Sequence, residues 1–340
     1  MSALSISGCT DFVRLVTRRR SALRQMLIKA SFLSLASLSL IGAAKAAGAG
    51  PSGRYYVTDE SGLNKIWQFQ GNSLSSFPTS PSGGADGPII VDGNTNTVRS
   101  VKGGFSGGSP SSPGSEYDFA GNVLSSVSLD FSNHSGYGRV IDAAFDGTYA
   151  YIVAGKGGPG GVFRYGSDFS GSGTLLFNIT DTILPQGITY DTKTNTLWTS
   201  DYNTGSGIGF VRQWDMSGNQ LSSFRVIDNN GVDSERNTAL AYDFSDDTFW
   251  LNAHVENTLG YGIGELWQFD RNGNFLQSIH GRELDANAPQ DILYWGGEIR
   301  ATGEPPSVPG PLPALGVAAA FSCSRSLRRR IQGRNTTGRF

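Results

Sequence analysis

The chain has 340 residues, 46 of them glycine, and only 16% are charged, against about 25% in an ordinary soluble protein. Residues 47–304 carry 14 basic and 28 acidic side chains, a net of −14, while residues 1–46 and 305–340 each carry +6. So acidic a body excludes nucleic acid as a partner, since that needs a basic footprint. With its two cysteines at positions 9 and 323, the chain also excludes disulfides, thiolate metal sites and a cysteine nucleophile from everything between them.

From Met26, "MLIKASFLSLASLSLIGAAKA" runs from a lysine through an apolar stretch to Ala44-Lys45-Ala46. This is the pattern of a secretory signal cleaved after Ala46, with small residues at Ala44 and Ala46. Residues 1–46 are therefore read as a signal peptide, with Met26 as an alternative true start. The apolar run from Ser31 to Ala44 is shorter than the roughly 20 residues of a spanning helix.

Residues 47–303 form a repeat. After an opening strand, "RYYVTDE" (54–60), two kinds of hairpin alternate along the chain. One is an aromatic strand, a Gly turn and a second alternating strand: "KIWQFQGNSLSSF" (65–77), "SEYDFAGNVLSSV" (115–127), "VFRYGSDFSGSGTLLF" (162–177), "VRQWDMSGNQLSSF" (211–224) and "LWQFDRNGNFLQSI" (266–279). The other is "PIIVDGNTNTVRSV" (88–101), "AAFDGTYAYIVAG" (143–155), "GITYDTKTNTLWTSD" (187–201), "ALAYDFSDDTFWLNA" (239–253) and, more loosely, "DILYWGGEIRATG" (291–303). The glycines supply the positive-φ positions that tight turns need.

A unit of four short strands recurring about every 50 residues is the signature of a β-propeller blade. The predicted fold is therefore all-β, a β-propeller of four-stranded blades flanked by disordered or helical targeting segments. The chain enters on a second strand and ends on a first strand, so ring closure joins the C-terminal strand to the N-terminal three and gives five blades. "EIRATG" reads as a surplus second strand, which would displace the N-terminal strand or open a degenerate sixth blade. Trp67, Trp198, Trp214, Trp250 and Trp267 fall inside strands and read as packing between blades rather than as a sugar-stacking platform. The Y-D-x-x-T-N-T-L-W pattern resembles the YVTN/NHL-like and SMP-30-like propeller superfamily over roughly residues 53–303.

After the body come a Pro-rich linker, the apolar stretch Leu312 to Phe321, and a basic cluster of Arg325, Arg328, Arg329 and Arg330, together residues 304–331, then a tail, 332–340. This order resembles the PEP-CTERM sorting signal of Gram-negative bacteria. It is closest to the cyanobacterial variant opening Val308-Pro309-Gly310-Pro311-Leu312-Pro313, with Gly310 where the motif commonly has Glu. The resemblance implies an exosortase-type sorting enzyme as a partner. It also implies transient membrane contact by both ends, and an exported protein of the cell envelope or extracellular space.

In a propeller, ligands usually meet the face built by the loops from strand 2 to 3 and from strand 4 to the next blade. The polar candidates there are Asp59, Asp86, Gln186, Asp201, His254, Gln290 and Asp291. Asp59 and Asp201 end equivalent second strands, and Pro185-Gln186-Gly187 and Pro289-Gln290-Asp291 open first strands. Such a ring of oxygens has the ligand chemistry of a Ca²⁺ site, and no other cofactor is expected. SMP-30-like lactonases use a comparable metal arrangement, but their Glu, Asn and Asp ligands do not match residue by residue here. The plainer reading is that these groups cap strand ends.

Little supports nucleophilic catalysis. His134, His254 and His280 are expected in different blades. A glycosidase-type carboxylate pair would need Asp59 near Asp201 or Glu256, which spacing alone does not place. "DGNTNT", "DTKTNT" and "DFSDD" lack calcium-loop spacing and read as Asx-rich hairpin turns. Asn178-Ile-Thr and Asn335-Thr-Thr match the N-glycosylation pattern. The residues thus favour a non-catalytic exported propeller that binds extracellular polysaccharide or a surface protein; the alternative is a propeller hydrolase or lactonase with a central Ca²⁺.

Overall fold

The structure is a computed structural model that describes residues 50–60, 62–81, 86–103, 111–134, 136–156, 160–179, 184–201, 208–234, 236–254, 264–288 and 293–300. The signal segment 1–46, with Ala44 and Ala46, and the segments 304–331 and 332–340, with Val308 to Pro313 and Arg325 to Arg330, lie outside the described residues. So do Gln290, Asp291 and Glu256.

Blade 1 opens with β1 (Arg54–Asp59), β2 (Lys65–Gln70) and β3 (Ser73–Pro78); blade 2 is β4 (Asp86–Asp92), β5 (Thr97–Lys102), β6 (Ser111–Asp118) and β7 (Val123–Asp130). Blade 3 is β8 (Arg139–Phe145), β9 (Tyr149–Lys156), β10 (Gly160–Gly166) and β11 (Thr174–Ile179). Blade 4 is β12 (Pro185–Asp191), β13 (Thr196–Asp201), β14 (Phe210–Trp214) and β15 (Gln220–Arg225). Blade 5 is β16 (Arg236–Asp243), β17 (Thr248–His254), β18 (Glu265–Asp270) and β19 (Phe275–His280). After a single helical turn, α1 (Gly281–Leu284), the last described element is β20 (Tyr294–Arg300). β20 pairs with β1, so blade 1 has the order β20-β1-β2-β3 and the ring closes as five antiparallel four-stranded sheets. This is the five-bladed propeller that the strand count predicts.

One expected element is different. "DILYWGGEIRATG" is not a hairpin: Tyr294 to Arg300 run as one strand through Gly296-Gly297, and no surplus second strand forms over those residues. The two glycines are there for close approach rather than for a turn. A Cβ on Gly296 would stand 2.3 Å from the Gly87 carbonyl oxygen, and one on Gly297 would stand 2.7 Å from that of Ala239.

The two turn types repeat because each is organised by one aspartate. In the turns joining strands 3 and 4, Asp118, Asp215 and Asp270 accept the backbone and side-chain N–H groups of Asn122, Asn219 and Asn274 four residues on. Between strands 1 and 2, Asp92, Asp146, Asp191 and Asp243 accept backbone amides two residues on. These are Asx turns, as the sequence implies. The glycine of each D-x-x-G-N turn faces a phenylalanine on the outer strand of the preceding blade: Gly121 on Phe77, Gly218 on Phe177, Gly273 on Phe224.

The apolar core is divided into five clusters, and each lies between two neighbouring blades. Trp67 and Trp250 pack between blades 5 and 1, Trp198 and Trp267 between blades 4 and 5, and Trp214 between blades 3 and 4. All five are buried, as expected for inter-blade packing. The outer strands instead expose a leucine at matching places, Leu124, Leu221 and Leu276. In blade 1 the equivalent Leu74 packs with Leu284 of α1 against the core. Among the described residues, no helix is long and apolar enough to cross a membrane.

Candidate functional site

Five of the seven sequence candidates are described, and the structure gives most of them structural work. Asp59 ends β1 wholly buried, and its two oxygens accept the amides of Leu63 (3.1 Å) and Lys65 (3.2 Å). Its counterpart Asp201 ends β13, accepts the Phe210 amide at 2.7 Å and pairs with Arg212. Each aspartate therefore reaches across the loop from strand 2 to strand 3 and fixes where the third strand starts. The equivalence of Asp59 and Asp201 is real, and it is that of a loop clamp.

Asp86 opens β4. Its Oδ1 accepts from Lys102 Nζ at 2.7 Å and its Oδ2 from the Thr79 hydroxyl at 2.8 Å. Burial raises its carboxyl above the usual carboxylate value against the pull of Lys102, and the nearby Asp59 charge adds to the rise. Gln186 is buried at the start of β12. His254 ends β17 half-buried, and its amide donates to the Ser234 hydroxyl at 3.1 Å. Asp59 and Asp86 thus stand together where blades 1 and 2 meet, while Asp201 belongs to blade 4. Among the described residues, no group of three or more His, Cys, Asp or Glu side chains is placed to hold a metal ion.

Nearer the axis lies an aspartate that the sequence reading passed over. Asp142, in the middle of β8, is wholly buried. Its Oδ1 accepts the amides of Ala143 (2.8 Å) and Gly297 (2.9 Å), its Oδ2 that of Ile188 (3.1 Å), and the Leu240 amide also binds it. One carboxylate therefore ties the inner strands of blades 3, 4, 5 and 1. Burial pushes it well above the ordinary carboxylate range, and the amide donors pull it back. Glu298 on β20 is pushed up by burial and by the charge of Asp142, and its Oε2 has no hydrogen-bond partner.

No protein-family model matches the chain, and no curated protein matches it in sequence. Among solved structures it is similar to a functionally unknown protein from Desulfotomaculum acetoxidans, at 14% identity over 72% of this chain and 86% of that one, with a TM-score of 0.43. It is also similar to the WD40 β-propeller domain of Doa1, at 12% identity over 70% of this chain and 71% of that one, TM-score 0.36. A third likeness is to Myxococcus xanthus glutaminyl cyclase, at 12% identity over 57% of this chain and 69% of that one, TM-score 0.37. The propeller architecture is read from the chain's own five sheets.

Two signals in the sequence point to the missed groups. Asp142 in "VIDAAF" and Glu298 in "YWGGEIR" are the acids inside otherwise apolar or glycine-rich inner strands. A charge at such a place needs a partner to offset its desolvation. Lys102, Asp86's partner, closes β5 at the position paired with Asp86 across the hairpin.

Contrary to expectation, His254 and His280 share a blade, ending β17 and β19 of blade 5, and the histidines are placed as ordinary hydrogen-bonding residues. His134 is buried between blades 2 and 3, where its ring lies 3.8 Å from that of Phe163 and its Nε2 meets the Tyr165 hydroxyl at 2.6 Å. Burial lowers its pKa to about 4. His280 caps α1 by accepting the Arg282 amide on Nδ1 at 3.1 Å. Asn178 is exposed on β11 and accepts from the Tyr137 hydroxyl at 2.7 Å.

Proposed function

We propose that this chain is an exported, non-catalytic propeller, sorted to the cell envelope through its C-terminal segment, that binds extracellular polysaccharide or another surface protein. The observation that carries this reading is how the buried carboxylates are used. Asp59 and Asp201 clamp loops, Asp86 is paired with Lys102, and Asp142 joins inner strands. They build a rigid frame that presents loops, which is how binding scaffolds are made. The signal-like segment at 26–46 and the sorting-signal resemblance over 304–331 support the destination and the exosortase-type partner.

The test uses the full chain, labelled and added back to cells of its source. Retention that disappears when surface polysaccharide or surface protein is stripped is the expected result. No retention on intact cells would remove the binding reading. A chelator melt belongs beside it, since an ion bound only by the folded state raises the melting temperature. The expected curves coincide; a fall of several degrees in chelator would overturn this reading in favour of a Ca²⁺-dependent enzyme.

A further inference from the structure

Where blade 1 meets blade 2, a lysine is enclosed by a carboxyl, a hydroxyl and a carboxamide. The Lys102 side chain is 5% exposed and that of Asp86 2%. Lys102 Nζ donates to Asp86 Oδ1 at 2.7 Å, to Asn64 Oδ1 at 3.2 Å and to Thr79 Oγ1 at 3.3 Å. Thr79 Oγ1 in turn donates to Asp86 Oδ2 at 2.8 Å. The Asn64 carboxamide is held from its other end, where Nδ2 donates to the Gly62 carbonyl at 2.7 Å. A primary amine, an amide carbonyl and a buried acid therefore meet at hydrogen-bonding distance. They come from two blades, 38 residues apart in the chain for the lysine and the asparagine.

We propose that Lys102 and Asn64 join in an intramolecular isopeptide bond, with Asp86 as the proton carrier. The step needs Asp86 to accept a proton, and enclosure makes its charged carboxylate costly to keep desolvated. Burial raises the Asp86 carboxyl in the direction this requires. Asp86 first takes a proton from the Lys102 ammonium, freeing the lone pair on Nζ. That lone pair attacks Asn64 Cγ, a new C–N bond forms, and the bond from Cγ to Nδ2 breaks. The leaving nitrogen receives one proton through Asp86, which takes up the proton shed by Nζ, and it departs as ammonia. The products are a secondary amide, a neutral Asp86 and one ammonia, with no change of charge and no oxidant or reductant.

Asn64 is the acyl partner because its carboxamide carbonyl is a better electrophile than a carboxylate. Asp86 is also already the paired neighbour of Lys102 in the β4–β5 hairpin, so joining those two would constrain little. A bond to Asn64 braces blade 2 against blade 1 in a body without cysteine between positions 9 and 323. It would limit the unfolded chain as a disulfide does.

The test is peptide mapping by mass spectrometry on the denatured full chain. The expected result is that the peptides holding Asn64 and Lys102 run as one species, lighter than their sum by one ammonia. Lys102→Arg should return both peptides separately, with circular dichroism showing that the variant folds. Separate, full-mass peptides from the wild-type chain would overturn the proposal. So would a linked species lighter by one water, which would place the bond at Asp86.

Discussion

Gly218 and Phe177 touch across the boundary between blades 3 and 4, so closely that a Cβ on the glycine would stand 2.4 Å from the phenylalanine Cβ. Gly121 stands in the same relation to Phe77, and Gly273 to Phe224, at 2.5 Å and 2.3 Å. The turn that each D-x-x-G-N motif makes is therefore also the surface that the preceding blade packs on. Gly218→Ala meets two penalties at once, a positive φ of 88° and a clash with a buried ring. The expected loss is roughly 1–3 kcal/mol, read from urea denaturation. The same change at Gly171, also at positive φ but with no atom within 4 Å of its Cβ position, should cost less, and equal losses would show that the ring contact contributes nothing.

Asp142→Ala should be the most damaging single change in the inner ring. It strips the acceptor from the amides of Ala143, Ile188 and Gly297, all buried. Leaving several such donors unpaired costs roughly 3–5 kcal/mol. Asp142→Asn keeps one carbonyl oxygen and should recover part of that loss in the same denaturation experiment. If alanine and asparagine behave alike and mildly, the carboxylate is not the tie between blades.

Glu298 sets a slope of stability against pH. Its folded-state pKa is raised by burial and by Asp142, so the folded chain holds this proton more tightly than the unfolded one. The contribution is full below the ordinary carboxylate range and is lost as pH rises through the raised folded value. As pH rises above the ordinary carboxylate range, Glu298→Gln should flatten that decline and make the variant the more stable form at the alkaline end. A wild-type slope left unchanged by the substitution would disprove the coupling.

His134 acts at the opposite end of the scale. Its pKa falls from 6.5 to about 4 on burial, so the folded chain resists the proton that the unfolded chain accepts. Its contribution is present above the unfolded value and is lost as pH falls from 6.5 towards about 4. His134→Phe, which keeps a ring against Phe163, should remove that part of the acid sensitivity, measured as the change in melting temperature between about pH 7 and about pH 4. An acid limb identical to that of the wild type would place the sensitivity elsewhere.

Most of the ring is legible because the turns repeat more faithfully than the strands. The D-x-x-G-N and Asx turns mark hairpins, and counting them gives five blades and the pairing of the last strand with the first three. Gly296-Gly297 misleads because a Gly-Gly pair serves turns and close approach equally, and only the neighbouring Gly87 and Ala239 carbonyls distinguish the two. The candidate site was legible only as positions. Sequence symmetry picks out Asp59 and Asp201 as equivalents, but the contacts that make them loop clamps are to the amides of Leu63, Lys65 and Phe210, which carry no side-chain signature. The sequence flags Asp142 and Lys102 as charges in apolar or paired strand positions, but the amides and side chains they meet come from other strands and blades, which no local pattern names.

Among the described strands the last in order, β20, sits innermost in blade 1. Blade 1 therefore receives the first strands of the repeat to be made and is the last blade to be completed. Until residues 294–300 arrive, β1 keeps a bare edge and Asp142 lacks the Gly297 amide. Synthesis from the N-terminus can assemble blades 2–5 in turn, but it cannot lock them. Closure is a single late event, and a chain cut short before Tyr294 is an open arc, not a smaller propeller.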